Sequence, residues 1–229
     1  FPVVGAESDA RGKLTGEIGI TTGSFMRHLT SERQAGKLRL LDLPKIMRDE
    51  LGMRVIDLMT RTLVSFEPAY IDALRKRAED ADSIFTNLKM NQPGLDMASR
   101  DKATREHALK EYRSTIDVAW QLGCRWVRPN AGPKRPDLKR YAAGFRALIE
   151  YAGPKGITLL IENNGWMRSD PEAIPAVVQL VGPGLAAAPD TGNWTDNEIR
   201  YQGLTRTFPV AVTCDFKARQ LGPQGEHPL

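Results

Sequence analysis

The chain has 229 residues, of which 41% are hydrophobic and 26% are charged. This composition supplies enough apolar side chains for a packed core and excludes an intrinsically disordered protein. Basic residues outnumber acidic ones by only 32 to 28, a formal net charge of +4, so charge gives no reason to expect a nucleic-acid partner. No apolar run of the sequence approaches the roughly 18 residues that a membrane-spanning helix needs, and we expect no membrane association.

The cysteines and the start of the chain bear on compartment and domain organisation. Cys124 and Cys214 are too few for a disulfide-built scaffold, and we predict that both are small buried side chains. Nothing in residues 1–15 resembles a signal peptide, which predicts a cytoplasmic protein. The first residue is Phe1 rather than Met, so a periplasmic or secreted location stays open. We expect residues 1–15 to be an N-terminal extension and residues 16–229 to be one domain, incomplete at its C-terminus.

In chain order, short β-rich runs alternate with longer stretches of helical period. The stretch between successive runs is long enough each time for a crossover helix, as parallel strands require. The predicted strands span residues 17–23, 53–60, 83–90, 124–129, 157–163, 185–190 and 210–217.

Proline, glycine and aspartate mark the predicted helix ends. Pro68 predicts the start of a helix over residues 69–81. The run Asp170-Pro171-Glu172 predicts an N-cap followed by the first turn of a helix that ends at Val181. Two further helices are predicted to end at Leu122-Gly123 and at Lys155-Gly156.

This alternation predicts the α/β class, with a parallel sheet that is either open and doubly wound or closed as a (β/α)8 TIM barrel. In residues 84–91, one face is apolar and the other becomes polar toward the end, through Asn87, Lys89 and Asn91. Central strands of an open doubly wound sheet tend instead to be continuously apolar. The first strand also lacks the glycine-rich turn of a dinucleotide-binding fold. We therefore predict a TIM barrel with a polar mouth.

Charged residues gather at the predicted C-terminal ends of the strands. They are Lys89, Arg128, Glu162, Asp190, Asp215 and Lys217. Three carboxylates in one barrel mouth would repel one another, and a bound divalent cation would remove that cost. Because all three ligands are oxygens, Mg²⁺ or Mn²⁺ is favoured over Zn²⁺. The alternative is an ion-pair network in which the three basic side chains neutralise the carboxylates without metal.

Three segments taken in order resemble the sugar phosphate isomerase/epimerase family of xylose isomerase-like TIM barrels. They are ITLLIENN at 157–164, PDTGN at 189–193 and VTCDFKA at 212–218. The resemblance implies that Glu162 and Asp190 bind a metal, and it places Asp215 where the family commonly has His. Asn193 stands where a second His is often found. The family's fourth ligand is a Glu on the eighth strand, and we expect that strand beyond Leu229.

The resemblance implies a divalent-metal-dependent isomerase or epimerase that acts on a sugar or keto-sugar by proton transfer at a carbon next to a carbonyl. Glu162 and Lys217 are the expected catalytic residues. The expected substrate-binding residues are Lys89, Arg128, Asn164, Trp166, Asn193 and Trp194. The alternative for these side chains is that the tryptophans only pack and the basic groups only balance the carboxylates.

Three other functions stay open at this point. The first is a lyase or hydrolase that acts on keto-glycosides at the same metal site. The second is a non-catalytic sugar-binding barrel, which Asp215 and the absent fourth ligand suggest. The third is DNA repair, because endonuclease IV is similar to this superfamily; it needs a zinc cluster rich in His, and the chain has 3 His. We expect a small-molecule sugar as the partner, and a homo-oligomer stays open because related barrels often pair.

Overall fold

The structure of the protein is a computed structural model. It describes Leu14, residues 16–30 and 35–217, and the backbone of residues 221–222 and 225–226. The predicted N-terminal extension over residues 1–15 lies outside the described residues except for Leu14. The chain divides into two compact units, Phe1–Thr86 and Asn87–Leu229.

The first unit combines two parallel strand pairs with two helices. Its elements are β1 (Gly19–Thr21), β2 (Leu29–Thr30), β3 (Leu38–Arg39), α1 (Leu43–Leu51), β4 (Val55–Met59), α2 (Pro68–Asp80) and the start of β5 (Ile84–Met90). β1 pairs in parallel with β4, and β2 with β3. Pro68 is the first residue of α2, so the predicted start of this helix is confirmed. The predicted strands 17–23 and 53–60 are confirmed as the shorter β1 and β4.

From β5 to α6, the second unit alternates strand and helix. After the rest of β5 come α3 (Lys102–Gln121), β6 (Trp126–Pro129), α4 (Leu138–Ala152), β7 (Thr158–Ile161), α5 (Ala173–Val181), β8 (Leu185–Ala187), α6 (Asn197–Thr207), β9 (Leu221–Gly222) and β10 (Gly225–Glu226). β5 pairs in parallel with β6, β6 with β7 and β7 with β8, whereas β9 and β10 form a short antiparallel pair. A helix separates each successive pair of parallel strands, which confirms the predicted α/β class.

Side-chain caps and glycines fix the ends of the helices in this unit. Three helices begin at an aspartate whose carboxylate accepts a hydrogen bond from the amide three residues later: Asp101 for α3, Asp137 for α4 and Asp196 for α6. The predicted end of α3 at Leu122-Gly123 is confirmed, whereas α4 ends at Ala152 and a 3₁₀ helix over Gly153–Lys155 leads to the predicted Gly156. Gly123 and Gly156 have φ of 74° and 70°, a conformation that glycine adopts without steric cost.

The predicted start of α5 is wrong by two residues. A 3₁₀ helix over Gly165–Ser169 precedes it, and α5 begins at Ala173. The Asp170 carboxylate accepts from the Glu172 amide at 3.0 Å, so this aspartate closes a local turn instead of capping the helix.

The predicted strand over residues 210–217 is also wrong. A 3₁₀ helix occupies Phe208–Val210, and the following segment contacts the sheet at two isolated parallel bridges, Ala211 to Ala187 and Asp215 to Asp190. Pro189 lies on the neighbouring segment between those bridges and has no amide hydrogen to donate, which interrupts the ladder. The same proline accounts for the early end of β8 at Ala187.

The strands of the second unit are buried on both faces. Leu159, Leu160 and Ile161 follow one another in β7 and are all at most 1% exposed. Burial on both faces is usual for strands of a parallel sheet. Polar residues share this burial: Lys89 is 4% exposed and Arg128 is 3% exposed. The charged side chains at these strand ends therefore lie in the protein interior.

The two cysteines differ. Cys124 is buried as predicted, but Cys214 is exposed, and the prediction of a buried side chain there is wrong. It lies in the segment that fails to form a continuous strand, where Val212 and Phe216 are also exposed. Among the described residues, no helix is long and apolar enough to cross a bilayer.

Phe145 of α4 provides a test of this core. It is fully buried and packs edge-to-face with Tyr141 at a centroid distance of 5.0 Å. We expect Phe145→Ala to lower the free energy of unfolding by about 3–5 kcal/mol, because it removes buried apolar surface and leaves a cavity. Phe208→Ala is the matched control: this ring is 50% exposed, and its loss should change stability by only about 0.5 kcal/mol. Urea denaturation of both variants measures the difference, and similar losses would contradict the assigned packing.

Candidate active site

The site is built from strand ends and the loops that follow them. Lys89 of β5 and Arg128 of β6 are register partners in the parallel pairing, which places them side by side. Glu162 follows the last residue of β7 directly. Asp190 lies after β8 and is joined to Asp215 by a parallel bridge. The charged residues predicted from the strand pattern are thus brought together within the second unit.

Three carboxylates form the centre of the site, and we call Glu162, Asp190 and Asp215 the acidic triad. One carboxylate oxygen from each lies within 4.8 Å of the others. Glu162 and Asp190 are buried, while the side chain of Asp215 is 26% exposed. The donor atoms are all oxygens, which fits hard divalent cations such as Mg²⁺ and Mn²⁺. The triad can therefore hold a metal ion.

Each carboxylate of the triad also forms an ion pair with a basic side chain. The pairs are Arg128 with Glu162 (Nε to Oε2, 2.9 Å), Lys89 with Asp215 (Nζ to Oδ1, 2.6 Å) and Lys217 with Asp190 (Nζ to Oδ2, 2.7 Å). The alternative drawn from the sequence, an ion-pair network, thus describes the same side chains. Metal ligation and side-chain neutralisation draw on the same oxygens.

Asn193 links two of these pairs. Its amide Nδ2 donates to Glu162 Oε1 at 2.7 Å, and its Oδ1 accepts from Lys217 Nζ at 2.5 Å. The two charged neighbours determine the orientation of the amide, because the carboxylate only accepts and the ammonium only donates. Asn193 therefore holds the catalytic candidates Glu162 and Lys217 in one hydrogen-bonded chain.

Asn163 is a site residue that the sequence analysis missed. It is fully buried, and its side chain makes a reciprocal pair with the backbone of Asp190: Nδ2 donates to the carbonyl at 2.9 Å, and Oδ1 accepts from the amide at 2.7 Å. The Gly192 amide donates to Asp190 Oδ1 at 2.8 Å. These contacts fix the loop that carries Asp190. Strand alternation places Asn163 on the face opposite Glu162, so its only sequence signal is an Asn where an apolar residue is expected.

Burial dominates the electrostatics of Glu162. Desolvation raises the pKa of this carboxyl above its ordinary value of 4.5, and the positive charge of Arg128 opposes that rise. Asp215 and Asp190 add to the rise, since a second and third negative charge nearby disfavour ionisation. A carboxyl with a raised pKa is suited to exchanging protons near neutral pH.

The other predicted substrate-binding residues have structural contacts. Asn164 Oδ1 accepts from the Ala131 amide at 2.9 Å and ties the loop after β7 to the loop after β6. Trp166 is 9% exposed beneath the Arg135 guanidinium, 5.0 Å from the ring centroid. Trp194 is 7% exposed and packs over Gly203, where a Cβ would lie 2.3 Å from the ring. Packing accounts for both rings, and their stacking on a sugar stays a prediction.

Comparison with known proteins agrees with this architecture. The profile of the xylose isomerase-like TIM barrel family matches residues 49–216. The chain belongs to this family. The predicted resemblance and the TIM-barrel class are thereby confirmed, as a parallel sheet with alternating helices. No curated protein sequence matches the chain.

Solved structures show the same fold at low identity. D-psicose 3-epimerase with D-tagatose, from Clostridium cellulolyticum H10, has a TM-score of 0.71 at 16% identity and covers 92% of this chain and 76% of that one. The probable 3-DHS dehydratase AsbF, involved in petrobactin synthesis in Bacillus anthracis, has a TM-score of 0.66 at 14% identity, covering 86% and 72%. An AP endonuclease of family 2 from Brucella melitensis has a TM-score of 0.65 at 15% identity, covering 93% and 84%. These identities establish the fold and no particular activity.

Arg128→Met tests the electrostatics of this family member's site. The positive charge of Arg128 lowers the pKa of Glu162, whereas burial raises it. Without that charge, the pKa of Glu162 should rise above its value in the wild type. A raised folded-state pKa favours folding at low pH, and that contribution is lost as pH rises through it. The variant should therefore lose more stability than the wild type as pH increases above about 4.5.

The measurements are a ¹³C NMR titration of the Glu162 carboxyl and urea denaturation across pH. Arg206→Met is the control, because it breaks an exposed ion pair with Glu172 and should leave the pKa of Glu162 unchanged. A lower Glu162 pKa in Arg128→Met would contradict the assignment.

Proposed function

We propose that the protein is a divalent-metal-dependent isomerase or epimerase that acts on a sugar or keto-sugar by proton transfer at a carbon next to a carbonyl. The observation that carries the proposal is the placement of Glu162, a buried carboxyl with a raised pKa, within the acidic triad. Proton transfer at carbon needs a base fixed beside an electrophilic group; Glu162 would supply the base, and a cation held by the triad would supply the electrophile.

Glu162 is the proposed proton-transfer residue. Arg128 holds Oε2 through an ion pair, and Asn193 holds Oε1 through a hydrogen bond. With both oxygens held, the carboxylate keeps one orientation toward a substrate carbon. Arg128 thus acts as a positioning residue in addition to its proposed contact with substrate. Restricting a base in this way lowers the entropic cost of the reactive geometry.

Glu162, Asp190 and Asp215 would hold the metal, for which Mg²⁺ or Mn²⁺ is proposed. When bound, such a cation polarises a carbonyl and makes the neighbouring C–H more acidic. Lys217 is the other proposed catalytic residue. Its side chain is 38% exposed, the most open of the three basic groups, so its ammonium can bind and stabilise a substrate oxygen.

The remaining polar groups are proposed to bind the hydroxyls of the substrate. Lys89, Asn164 and Asn193 offer hydrogen-bond donors and acceptors at the same strand ends, and Trp166 and Trp194 offer ring faces. A free ketose is a suitable first substrate to test, since solved relatives include a D-psicose 3-epimerase with D-tagatose.

Hydrogen exchange at carbon tests the reaction. We expect the wild type with Mn²⁺ to incorporate deuterium from D₂O next to the carbonyl of a ketose such as D-tagatose or D-psicose. Glu162→Gln should reduce this exchange by about 10²–10⁴-fold, because the amide cannot accept the proton. ¹H NMR of the sugar measures the exchange.

Glu172→Gln is the matched control, since Glu172 pairs with Arg206 at the surface and should not affect exchange. Thermal melting of each variant separates loss of the base from loss of the fold. Equal exchange by Glu162→Gln and the wild type would remove Glu162 from the mechanism. If the protein instead releases a substituent from a keto-glycoside, the reaction is an elimination. Deuterium exchange without fragmentation indicates isomerisation.

Removal of metal gives a second test. We expect exhaustive dialysis against EDTA to abolish deuterium exchange and added Mn²⁺ or Mg²⁺ to restore it, because the electrophile would be lost and then replaced. Added Na⁺ at equal ionic strength is the control for a general salt effect. Exchange that persists unchanged in EDTA would overturn the metal dependence while leaving the role of Glu162 standing.

A further inference from the structure

We propose that Lys89 and Lys217 compete with a divalent cation for the acidic triad, so that metal binding displaces their ammonium groups from the carboxylates. The proposal rests on the proposed function in one respect: it takes the triad as the metal site. It adds that the two lysines set the affinity of that site and that at least one of them moves when the site is loaded.

The first observation is how fully the triad oxygens are engaged. Lys89 Nζ lies 2.6 Å and 2.7 Å from the two oxygens of Asp215. The two oxygens of Asp190 accept from Lys217 Nζ and from the Gly192 amide. Those of Glu162 face Arg128 and Asn193. A basic group or a hydrogen-bond donor therefore lies against every triad oxygen, although Glu162 Oε2 faces Arg128 Nε as an ion pair without a hydrogen bond.

The second observation is the charge balance. Three carboxylates are matched by three basic groups at distances of 2.6–2.9 Å. A divalent cation added to this balanced set would lie close to ammonium groups that contact the same oxygens, and like charges repel strongly where water is scarce. A metal ion and the lysine ammonium groups therefore compete for the same carboxylate oxygens.

The three basic groups differ in how readily they can leave. The Arg128 side chain is 4% exposed, and its planar guanidinium also donates to Asn130 Oδ1 at 3.1 Å. Lys217 Nζ also donates to Asn193 Oδ1 at 2.5 Å, but its side chain is 38% exposed and its flexible stem can carry the ammonium toward solvent. Its backbone amide stays anchored to Thr191 Oγ1 at 3.1 Å, so only the side chain has to move.

Displacement of Lys217 connects metal binding to substrate binding. Once released from Asp190, the ammonium remains tethered at the site and is available to a substrate oxygen. Lys89 is 6% exposed and has less room, so it is expected to oppose the metal more persistently. The order of release is therefore Lys217 first, with Lys89 limiting the final affinity.

Mn²⁺ binding to the full chain tests the competition without relying on activity. Wild type, Lys217→Met and Lys89→Met are titrated with Mn²⁺, and free Mn²⁺ is measured by EPR. We expect each lysine variant to bind Mn²⁺ about tenfold or more tightly than the wild type, a change of roughly 1.4 kcal/mol or more, because a carboxylate is left without its counter-charge. Lys155→Met is the matched control: Lys155 pairs with Asp117 outside the triad, and its loss should leave Mn²⁺ affinity unchanged.

Equal or weaker Mn²⁺ binding by both lysine variants would overturn the competition. Lys217→Met keeps the test valid if thermal melting shows that the more buried Lys89→Met does not fold. Absence of Mn²⁺ binding in every variant would overturn both this inference and the proposed metal dependence. Mn²⁺ binding that neither lysine substitution tightens would overturn the competition alone, because the triad would still hold the metal, so the two failures are distinguishable.

Discussion

The site depends on one interaction, the ion pair between Arg128 and Glu162. Both side chains are about 95% buried, and neither charge would be tolerated there alone, because desolvation of an unpaired ion costs several kcal/mol. The pair is possible because β6 and β7 are parallel neighbours, so that residues near their C-terminal ends reach the same region. Asn130 and Asn193 satisfy further donors and acceptors of the pair. The carboxyl of Glu162, the proposed proton-transfer group, is thereby held in the interior with a fixed orientation.

The same constraint extends to the whole triad. Burying three carboxylates requires positive charge from some source, either from side chains or from a bound ion. In this chain the side chains supply it, one for each carboxylate. The carboxylates are therefore neutralised by the chain's own basic residues, and under the proposal above a metal would exchange with them. At such a site, metal binding would require paired basic side chains to move. A site whose carboxylates are unpaired has no such requirement.

Sequence reasoning located most of this arrangement, because period and position carry physical meaning. Side chains on one face of the predicted strands change from apolar to polar toward the C-terminal end, and this change identified Lys89, Arg128 and Glu162 as site residues. The carboxyl ends of parallel strands bring such groups together. Prediction from the sequence failed where a local feature of the chain matters more than the hydrophobic periodicity. Pro189 breaks the ladder expected for residues 210–217, and Cys214 is exposed as a result. Reciprocal contacts such as Asn163 with the Asp190 backbone depend on three-dimensional proximity that no spacing encodes.

Asp215 shows how a single ligand type can shape the rest of a site. The resemblance places it where the family commonly has His, and an aspartate brings a full negative charge where a neutral imidazole would bring none. That additional charge needs a partner, and Lys89 contacts both of its oxygens. Lys89 is nearly buried, so its own charge would be costly without Asp215. The two residues thus require each other. Replacing either one alone leaves a buried or half-buried charge that the triad, a metal or a substrate must then balance.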